Sequence, residues 1–531
     1  MMKSAKYTLS IAFCMHDSCV TIADEKQILL HLEGERFFKT KHIRVETPEK
    51  MDELVAGALD YLHLGIDDIS EVLLASFGNA YPVPETKILG RLFTPIMTGH
   101  HDNHIGTAFP SGFDDAIVVC ADGGSDEGPD TPYITTRIYL KKGNHISLLE
   151  DLDDSSMNGR FYGTAAQMII HPNFEMAHTT CVGKLMGLSS MGRFDQEIWD
   201  LLCQHERLFN THYVSGCQSL LDLFGLSPDY NNPWEDERKR NFAYCAHEFW
   251  VGRFFQQLKK YTHLSRNIAL TGGCALNITL NSRLIESDLY QGVYVSPISS
   301  DCGQSLGAVL FKYPGIICEY PYLGREFNPY GPDDSKIDCD ISQLVADLVS
   351  GKIVAWYQGR SEIGPRALGH RSFIGLPNSI EMRDRLSIKV KHREPYRPVA
   401  AIILAEDEHE FFESKGDFRY MTFVAKAKEV TQRCAPAIVH YDGTTRLQTL
   451  GQSDNPLLYR CLKELKKRTG VPIIMNSSFN VAGYPIVDTP EDAMINFNES
   501  EADVLYLNGL RIQKPQSLPQ HPAEILAEAM S

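Results

Sequence analysis

In two places an apolar run ends abruptly in an acidic or glycine turn, and this repeated punctuation restricts the fold more than any other feature. Residues 116–120 lead into Asp122-Gly123-Gly124, and residues 268–270 lead into Thr271-Gly272-Gly273. Ser300-Asp301-Cys302-Gly303 repeats the arrangement before a further helical pattern. Strands that stop at such turns and alternate with helices define an α/β fold whose ligand lies at the strand ends. Glycine turns also present amide protons at helix N-termini, where phosphates bind. Gly272, Gly273, Asn277 and Gly303 are therefore candidate nucleotide contacts. Within Val182-Gly183-Lys184-Leu185-Met186-Gly187, Lys184 is either a cation for a nucleotide phosphate or a solvated helix lysine.

The remaining periodicity agrees with that class. Residues 7–13, 18–23 and 27–32 read as short strands with hairpin spacing, and 72–76, 353–357 and 471–475 as further strands. Helices are predicted over 48–62, 236–262 and 341–350. Between 312 and 345, Pro314, Pro321, Pro329 and Pro332 with several glycines break every pattern, so a linker divides the chain into domains 1–325 and 326–531. A chain of 531 residues exceeds what one core supports, which independently requires at least two domains.

The net charge of −17 argues against a nucleic-acid-coating surface, so any basic site must be local. No apolar run reaches membrane-spanning length. The stretch from Lys3 to Met15 lacks a small-residue cleavage site and reads as a buried first strand rather than a signal peptide. The 13 cysteines form no Cys-x-x-Cys pair, which suits a reducing cytoplasm and excludes zinc ribbons.

Three clusters carry chemistry. His100 and His104 are four apart, so on a helix both imidazoles face one way and can share a metal, with Asp122 at a strand end as a further ligand. Two imidazoles with carboxylates suit iron, manganese or zinc; the competing role is a polar helix start. His16, in the turn after the first strand, is either a general base for a hydroxyl or a turn residue beside Asp17 and Ser18. The third cluster lies late in the chain. Gln358-Gly359-Arg360 runs into Gly364-Pro365-Arg366-Ala367-Leu368-Gly369-His370-Arg371-Ser372, followed by Lys389, Lys391, Arg393, Arg397 and Arg446. Asn476-Ser477-Ser478-Phe479-Asn480 then follows the strand predicted over 471–475. Arginine forks bind phosphate and carboxylate oxygens, and glycine lets amides approach an anion. The block is expected to hold a small, oxygen-rich anion.

Taken together these motifs resemble the NodU/CmcH carbamoyltransferases over nearly the whole chain and in the same order. His16-Asp17-Ser18 is similar to the family's first turn, and Glu33-Gly34-Glu35-Arg36-Phe37 through Lys41-His42 to its EEERF…KH segment. His100 to Ala108 resembles HHLAHAxxA, Gly183 to Gly192 GKVMGLAPYG, Gly272 to Asn277 GGVALN, Gln358 to Ser372 QGRMEFGPRALGNRS, and Asn476 to Asn480 NTSFN. The chain departs from these patterns at Asp102, Asn103 and Ile105, at Ser189-Ser190-Met191, and at His370 in place of asparagine.

The resemblance implies an N-terminal actin/hexokinase-like (ribonuclease H-like) ATPase fold joined to a C-terminal YrdC-like α/β domain. It implies ATP-dependent O-carbamoyl transfer from carbamoyl phosphate, through carbamoyl-adenylate, to a hydroxyl of a small natural product or glycan. His100, His104, Asp122 and Asp301 would hold the metal, ferrous iron before manganese or zinc, with Mg2+ accompanying ATP. His16 would deprotonate the acceptor. Arg366, Lys391, Arg397, Arg446, Asn476 and Ser478 would cradle carbamoyl phosphate and the adenylate. Lys184, Gly187, Gly272, Gly273, Asn277 and Gly303 would contact the nucleotide. No nucleic-acid or membrane partner is expected, the expected location is the cytoplasm, and a homodimer is left open. The rival readings are an N-carbamoylating enzyme, a tRNA threonylcarbamoyl-type enzyme, a hydrogenase-maturation enzyme and a non-catalytic nucleotide sensor. The negative charge opposes the tRNA enzyme, and the missing Cys-x-x-Cys pairs oppose hydrogenase maturation.

Overall fold

The structure is a computed structural model that describes residues 7–13, 16–76, 85–125, 134–152, 157–173, 176–211, 217–327 and 338–514. Met15 of the first turn and Pro329 and Pro332 of the predicted linker lie outside the described residues. The chain forms two compact units. The first takes residues up to Gln27, then Arg44–Leu59 and Leu64–Cys318; the second takes Ile28–Ile43, Asp60–His63 and the chain from Glu319 onward. The sequence places a boundary at 325/326; the second unit also takes in two earlier pieces for a physical reason. The buried Arg36 donates to the Glu362 and Gly364 carbonyls, and the Tyr61 hydroxyl accepts from the Glu326 amide.

The first unit uses one strand pattern twice. Tyr7–Phe13 pairs antiparallel with Cys19–Ala23 and parallel with Ile69–Ser76, which in turn pairs parallel with Ile96–Thr98. Asp115–Ser125 pairs antiparallel with Ile134–Lys142 and parallel with Asn267–Thr271, which pairs parallel with Gly292–Val295. The repetition is that of the actin/hexokinase-type α/β fold. The central strands are apolar along their length because helices cover both faces. Ile117, Val118, Val119 and Cys120 are all buried.

Helices His100–Gly106 and Gln304–Lys312 pack against each other and against these strands. Glycine makes that packing possible. A Cβ on Gly307 would stand 1.8 Å from the Asn103 carbonyl oxygen, and one on Gly106 would stand 2.0 Å from the Gly307 oxygen. The long helix predicted over 236–262 spans Glu237–Leu258 and closes in a 3-10 turn, Lys259–Tyr261. Among the described residues no helix is long and apolar enough to cross a membrane.

The second unit is a nine-stranded mixed sheet, with Arg371–Gly375 between Ile473–Ser478 and Val354–Tyr357 near its middle. Helices Ile341–Val349 and Pro456–Thr469 pack on each other, and Leu344, Leu348, Leu458 and Leu462 join Trp356, Ile402 and Ile474 in one core. The strand predicted to stop at residue 475 continues through Ser478. Asn476 therefore lies inside the sheet, opposite Ile374 and Ala400, rather than just beyond the strand. Its extended backbone is held by pairing on both sides, which outweighs the turn preference of Asn and Ser.

Candidate active site

Helix His100–Gly106 puts two imidazoles on one face; the strand Asp115–Ser125, which runs on through Asp122 where the sequence predicts a turn, and the 3-10 turn Asp301–Gly303 each bring a carboxylate to them. His100 Nε2 and His104 Nε2 lie 3.1 and 3.2 Å from Asp122 Oδ2, and His104 Nε2 lies 3.2 Å from Asp301 Oδ1. The four donor atoms lie within 4.8 Å of one another. Ligands bound about 2.0–2.2 Å from a shared ion stand roughly 3.0–3.5 Å apart; these three distances match a divalent cation, and the fourth, His100 Nε2 to Asp301 Oδ1, is 3.8 Å and would close slightly around one. Burial alone would lower the His104 imidazole, but its hydrogen bonds to Asp122 and Asp301 push it up to about 9. Burial would conversely raise Asp122, yet His100 and His104 hold it well below the usual carboxylate range. Two buried imidazoles and two carboxylates of this kind suit iron, manganese or zinc.

His16 joins the rim of the same cluster. Its Nδ1 meets Asp17 Oδ2 at 2.8 Å, and its Nε2 stands 3.6 Å from Asp301 Oδ2. Asp301 and Asp17 overcome the effect of burial and push His16 up to about 9. A cation held by His100, His104, Asp122 and Asp301 would oppose that charge and favour the neutral imidazole that a base requires. Asp17 was unassigned by sequence; its adjacency to His16 was the available signal.

The glycine turns lie beside this cluster. Gly272 has φ +82°, and a Cβ there would stand 2.3 Å from the Ala121 oxygen. Gly273 donates its amide to Asp122 Oδ1 at 3.1 Å, which ties this turn to the strand Asp115–Ser125. Asn277 caps helix Ile278–Glu286 by accepting from the Leu280 amide at 3.0 Å. Gly303 ends the Asp301 turn under the Ile298 carbonyl. Lys184 and Gly187 sit on helix Val182–Ser189, with Gly187 buried, so neither belongs to a strand-end turn.

In the second unit a cationic cluster forms. Arg366, Arg393, Arg397 and Arg446 are half-buried and repel one another. Burial, then Arg397, lowers Arg366 to about 10; burial, then Arg397, lowers Arg393 to about 9. Burial and the other three arginines lower Arg446 strongly. Glu394 supplies a carboxylate 3.7 Å from Arg397. Like charges held together in this way are stabilised by an anion that accepts from all of them.

Lys391 is 1% exposed, and its ammonium donates to the Ser478 carbonyl at 2.6 Å, Ser478 Oγ at 3.1 Å and Asn480 Oδ1 at 2.6 Å, and also to the Asn480 carbonyl. It thereby fixes the strand end, while Arg393 reaches Ser477 Oγ and Ser478 Oγ at 3.2 Å each. Burial, then Arg393, Lys41 and Arg397, lowers the Lys391 ammonium well below its usual range. Asn476 donates to the Ala367 carbonyl at 2.8 Å, linking this strand to the Arg366 turn.

The structure sorts the arginines that the sequence treated alike. Arg360 donates to the carbonyls of Gly324, Leu29 and Leu323. Arg371, fully buried over the Tyr357 ring, donates to those of Gln358, Gly359 and His370. Both hold backbone, so of the three arginines in that block it is Arg366 that joins the cluster. Lys389 is exposed. Arg393, which the residue pattern included and the resemblance did not, joins the cluster. His370, where the family has asparagine, stacks on Tyr322 with ring centres 3.7 Å apart.

Comparison with known proteins agrees in both halves. The family model described as Carbamoyltransferase N-terminus matches residues 86–310, and that described as Carbamoyltransferase C-terminus matches 345–514. Nodulation protein NolNO of Sinorhizobium fredii is 28% identical, covering 95% of this chain and 80% of that one. Nodulation protein NolO of Bradyrhizobium diazoefficiens is 32% identical, covering 79% of each. Among solved structures, component A of the Acidaminococcus fermentans (R)-2-hydroxyglutaryl-CoA dehydratase is 14% identical over 58% of this chain and 99% of that one, with TM-score 0.35. The matched family models, and a relative at 32% identity along most of its length, establish that this chain is a carbamoyltransferase of the NolO/NodU family.

Proposed function

We propose that the protein transfers the carbamoyl group of carbamoyl phosphate to a hydroxyl of a small natural product or glycan, in two stages that use ATP with Mg2+. In the first, carbamoyl phosphate and water yield carbamate and phosphate, and a carbamate oxygen attacks the α-phosphorus of ATP. Carbamoyl-adenylate forms and pyrophosphate leaves. In the second, the acceptor oxygen attacks the carbamoyl carbon, its proton passes to a base, and AMP leaves.

The observation that carries this reading is the crowding of Arg366, Arg393, Arg397 and Arg446, in which burial and like-charged neighbours lower Arg366, Arg393 and Arg446. A dianion and a triphosphate repel each other, and several converging guanidinium groups offset that repulsion where bulk water is partly excluded. Ser478 and Asn476 orient the same anion without adding charge, and Lys391 holds the Ser478 hydroxyl in place.

In the second stage His16 receives the acceptor proton at Nε2, while Asp17 holds its Nδ1. His100, His104, Asp122 and Asp301 would hold a divalent cation, with Fe2+ the favoured identity. When bound, it supplies Lewis-acid polarisation of an oxygen at the transfer site. The Gly272–Gly273 turn, Asn277, Gly303, Lys184 and Gly187 are the proposed nucleotide contacts. The deciding measurement is pyrophosphate release from ATP in the presence and absence of carbamoyl phosphate. Release that depends on carbamoyl phosphate and falls at least tenfold in Arg366→Ala is expected; release independent of carbamoyl phosphate, or none, rejects the proposal.

A further inference from the structure

Residues 33–39 belong to the second unit, although more than half of the chain separates them in sequence from the Arg366 turn. We propose that Glu33 and Arg36 form a positioning clamp that sets where the Arg366 turn presents its guanidinium. The inference rests on the reading of Arg366 as an anion ligand and deepens it.

The geometry is that of a planar fork used completely. Arg36 is 4% exposed, and its Nε donates to Glu33 Oε2 at 2.9 Å. Its two terminal nitrogens donate to the carbonyls of Glu362 at 2.5 Å and Gly364 at 2.7 Å. The other Glu33 oxygen accepts the Gly364 amide at 2.5 Å. Both peptide groups of Gly364 are therefore pinned, at a residue whose φ of +87° disfavours any L side chain. From the inside, the fully buried Glu362 carboxylate accepts the amides of Leu368, His370 and Arg371 at 2.6, 3.3 and 3.2 Å. Glu33 and Glu362 together oppose the buried Arg36 charge.

The clamp is itself anchored. The Phe37 ring lies under the Arg325 guanidinium at 5.2 Å, and Lys39 Nζ meets Asp492 at 2.6 Å. Arg366 thus sits midway along a turn held from two sides. Repulsion from Arg393, Arg397 and Arg446 pushes that turn away from the cluster, and the clamp resists the push. A lysine ammonium at position 36 retains the charge but lacks the fork that joins one carboxylate to two carbonyls.

The test compares wild type with Arg36→Lys, Glu33→Gln, Arg366→Ala and the double variant Arg36→Lys/Arg366→Ala. The readouts are KM for carbamoyl phosphate and kcat in ATP pyrophosphate release, with folding checked by thermal melting. Arg36→Lys is expected to raise KM about tenfold and to change kcat less than threefold. Glu33→Gln, which keeps an acceptor for the Gly364 amide, is expected to raise KM about threefold. The double variant should be no worse than Arg366→Ala alone, because the clamp acts through Arg366. A folded Arg36→Lys with KM within twofold of wild type overturns the clamp, as does a double variant whose losses multiply. Failure of both clamp variants to fold also overturns it, because the pair would then hold the unit rather than the turn. If Arg366→Ala leaves KM unchanged, the anion-site reading falls instead.

Discussion

Replacing Gly307 by alanine adds one methyl group at the point where the metal-site helices touch. The new carbon would stand 1.8 Å from the Asn103 oxygen and 2.7 Å from its carbonyl carbon, with Thr107 Cγ2 at 3.2 Å. Two of these three neighbours are backbone, so no side-chain rotation relieves the clash. Restoring ordinary contact near 3.4 Å requires helices His100–Gly106 and Gln304–Lys312 to part by roughly 1.6 Å. The same movement draws His104 away from Asp301, now 3.2 Å apart, whereas ligand distances in a metal site tolerate only about ±0.2 Å. Overpacking of this kind costs about 1–3 kcal/mol, or a Tm fall of about 2–5 °C in a domain of this size. Metal affinity should fall about 10–100-fold, as when groups supporting a metal's ligands are lost. Calorimetric titration with Mn2+, beside a melting curve, measures both. Gly252→Ala is the control: it lies exposed in helix Glu237–Leu258 with no atom within 4 Å of its added Cβ. That change should be neutral or stabilising by about 0.5–1 kcal/mol. A Gly307→Ala protein with wild-type Tm and Mn2+ affinity refutes the claim that glycine contact sets the site.

Three further outcomes are expected. His104→Ala should lose carbamoyl transfer and bound metal while retaining carbamoyl phosphate-dependent pyrophosphate release; parallel loss of both reactions contradicts the division between the two stages. Lys391→Met removes the donor that serves four acceptors on Ser478 and Asn480, and should cost about 1–3 kcal/mol and suppress pyrophosphate release; a folded variant releasing pyrophosphate at the wild-type rate rules this out. Burial would raise the Asp347 carboxyl, but hydrogen bonds from Arg511, Lys352 and Tyr506 hold it well below the usual range. Its stabilisation is therefore complete above about pH 4 and lost as pH falls through the depressed value. Asp347→Asn should cost about 1–3 kcal/mol at pH 7, since Lys352 and Arg511 are partly exposed. In urea titrations the gap from wild type should narrow below pH 4; a gap unchanged down to pH 2.5 dismisses the network.

Local pattern was enough for the elements that recur. Strand Tyr7–Phe13 and helices Pro48–Tyr61 and Ile341–Val349 lie where apolar periodicity predicts them, because which faces are buried is written at short range. The i, i+4 spacing of His100 and His104 likewise defines a shared face once a helix forms. Asn476 marks where this reasoning fails: the sequence ends the strand at residue 475, yet pairing with neighbouring strands keeps residues through Ser478 extended.

By itself, then, the order of residues determined the α/β class, the histidine pair and the family to which the motifs belong. Tertiary structure decided which charged groups meet beyond those that the resemblance implied. It assigned Arg360 and Arg371 to backbone carbonyls and joined Glu33 and Arg36 to the Gly364 peptide groups. The reason is that periodicity depends on nearest neighbours along the chain, while a guanidinium's role depends on acceptors supplied by segments hundreds of residues away.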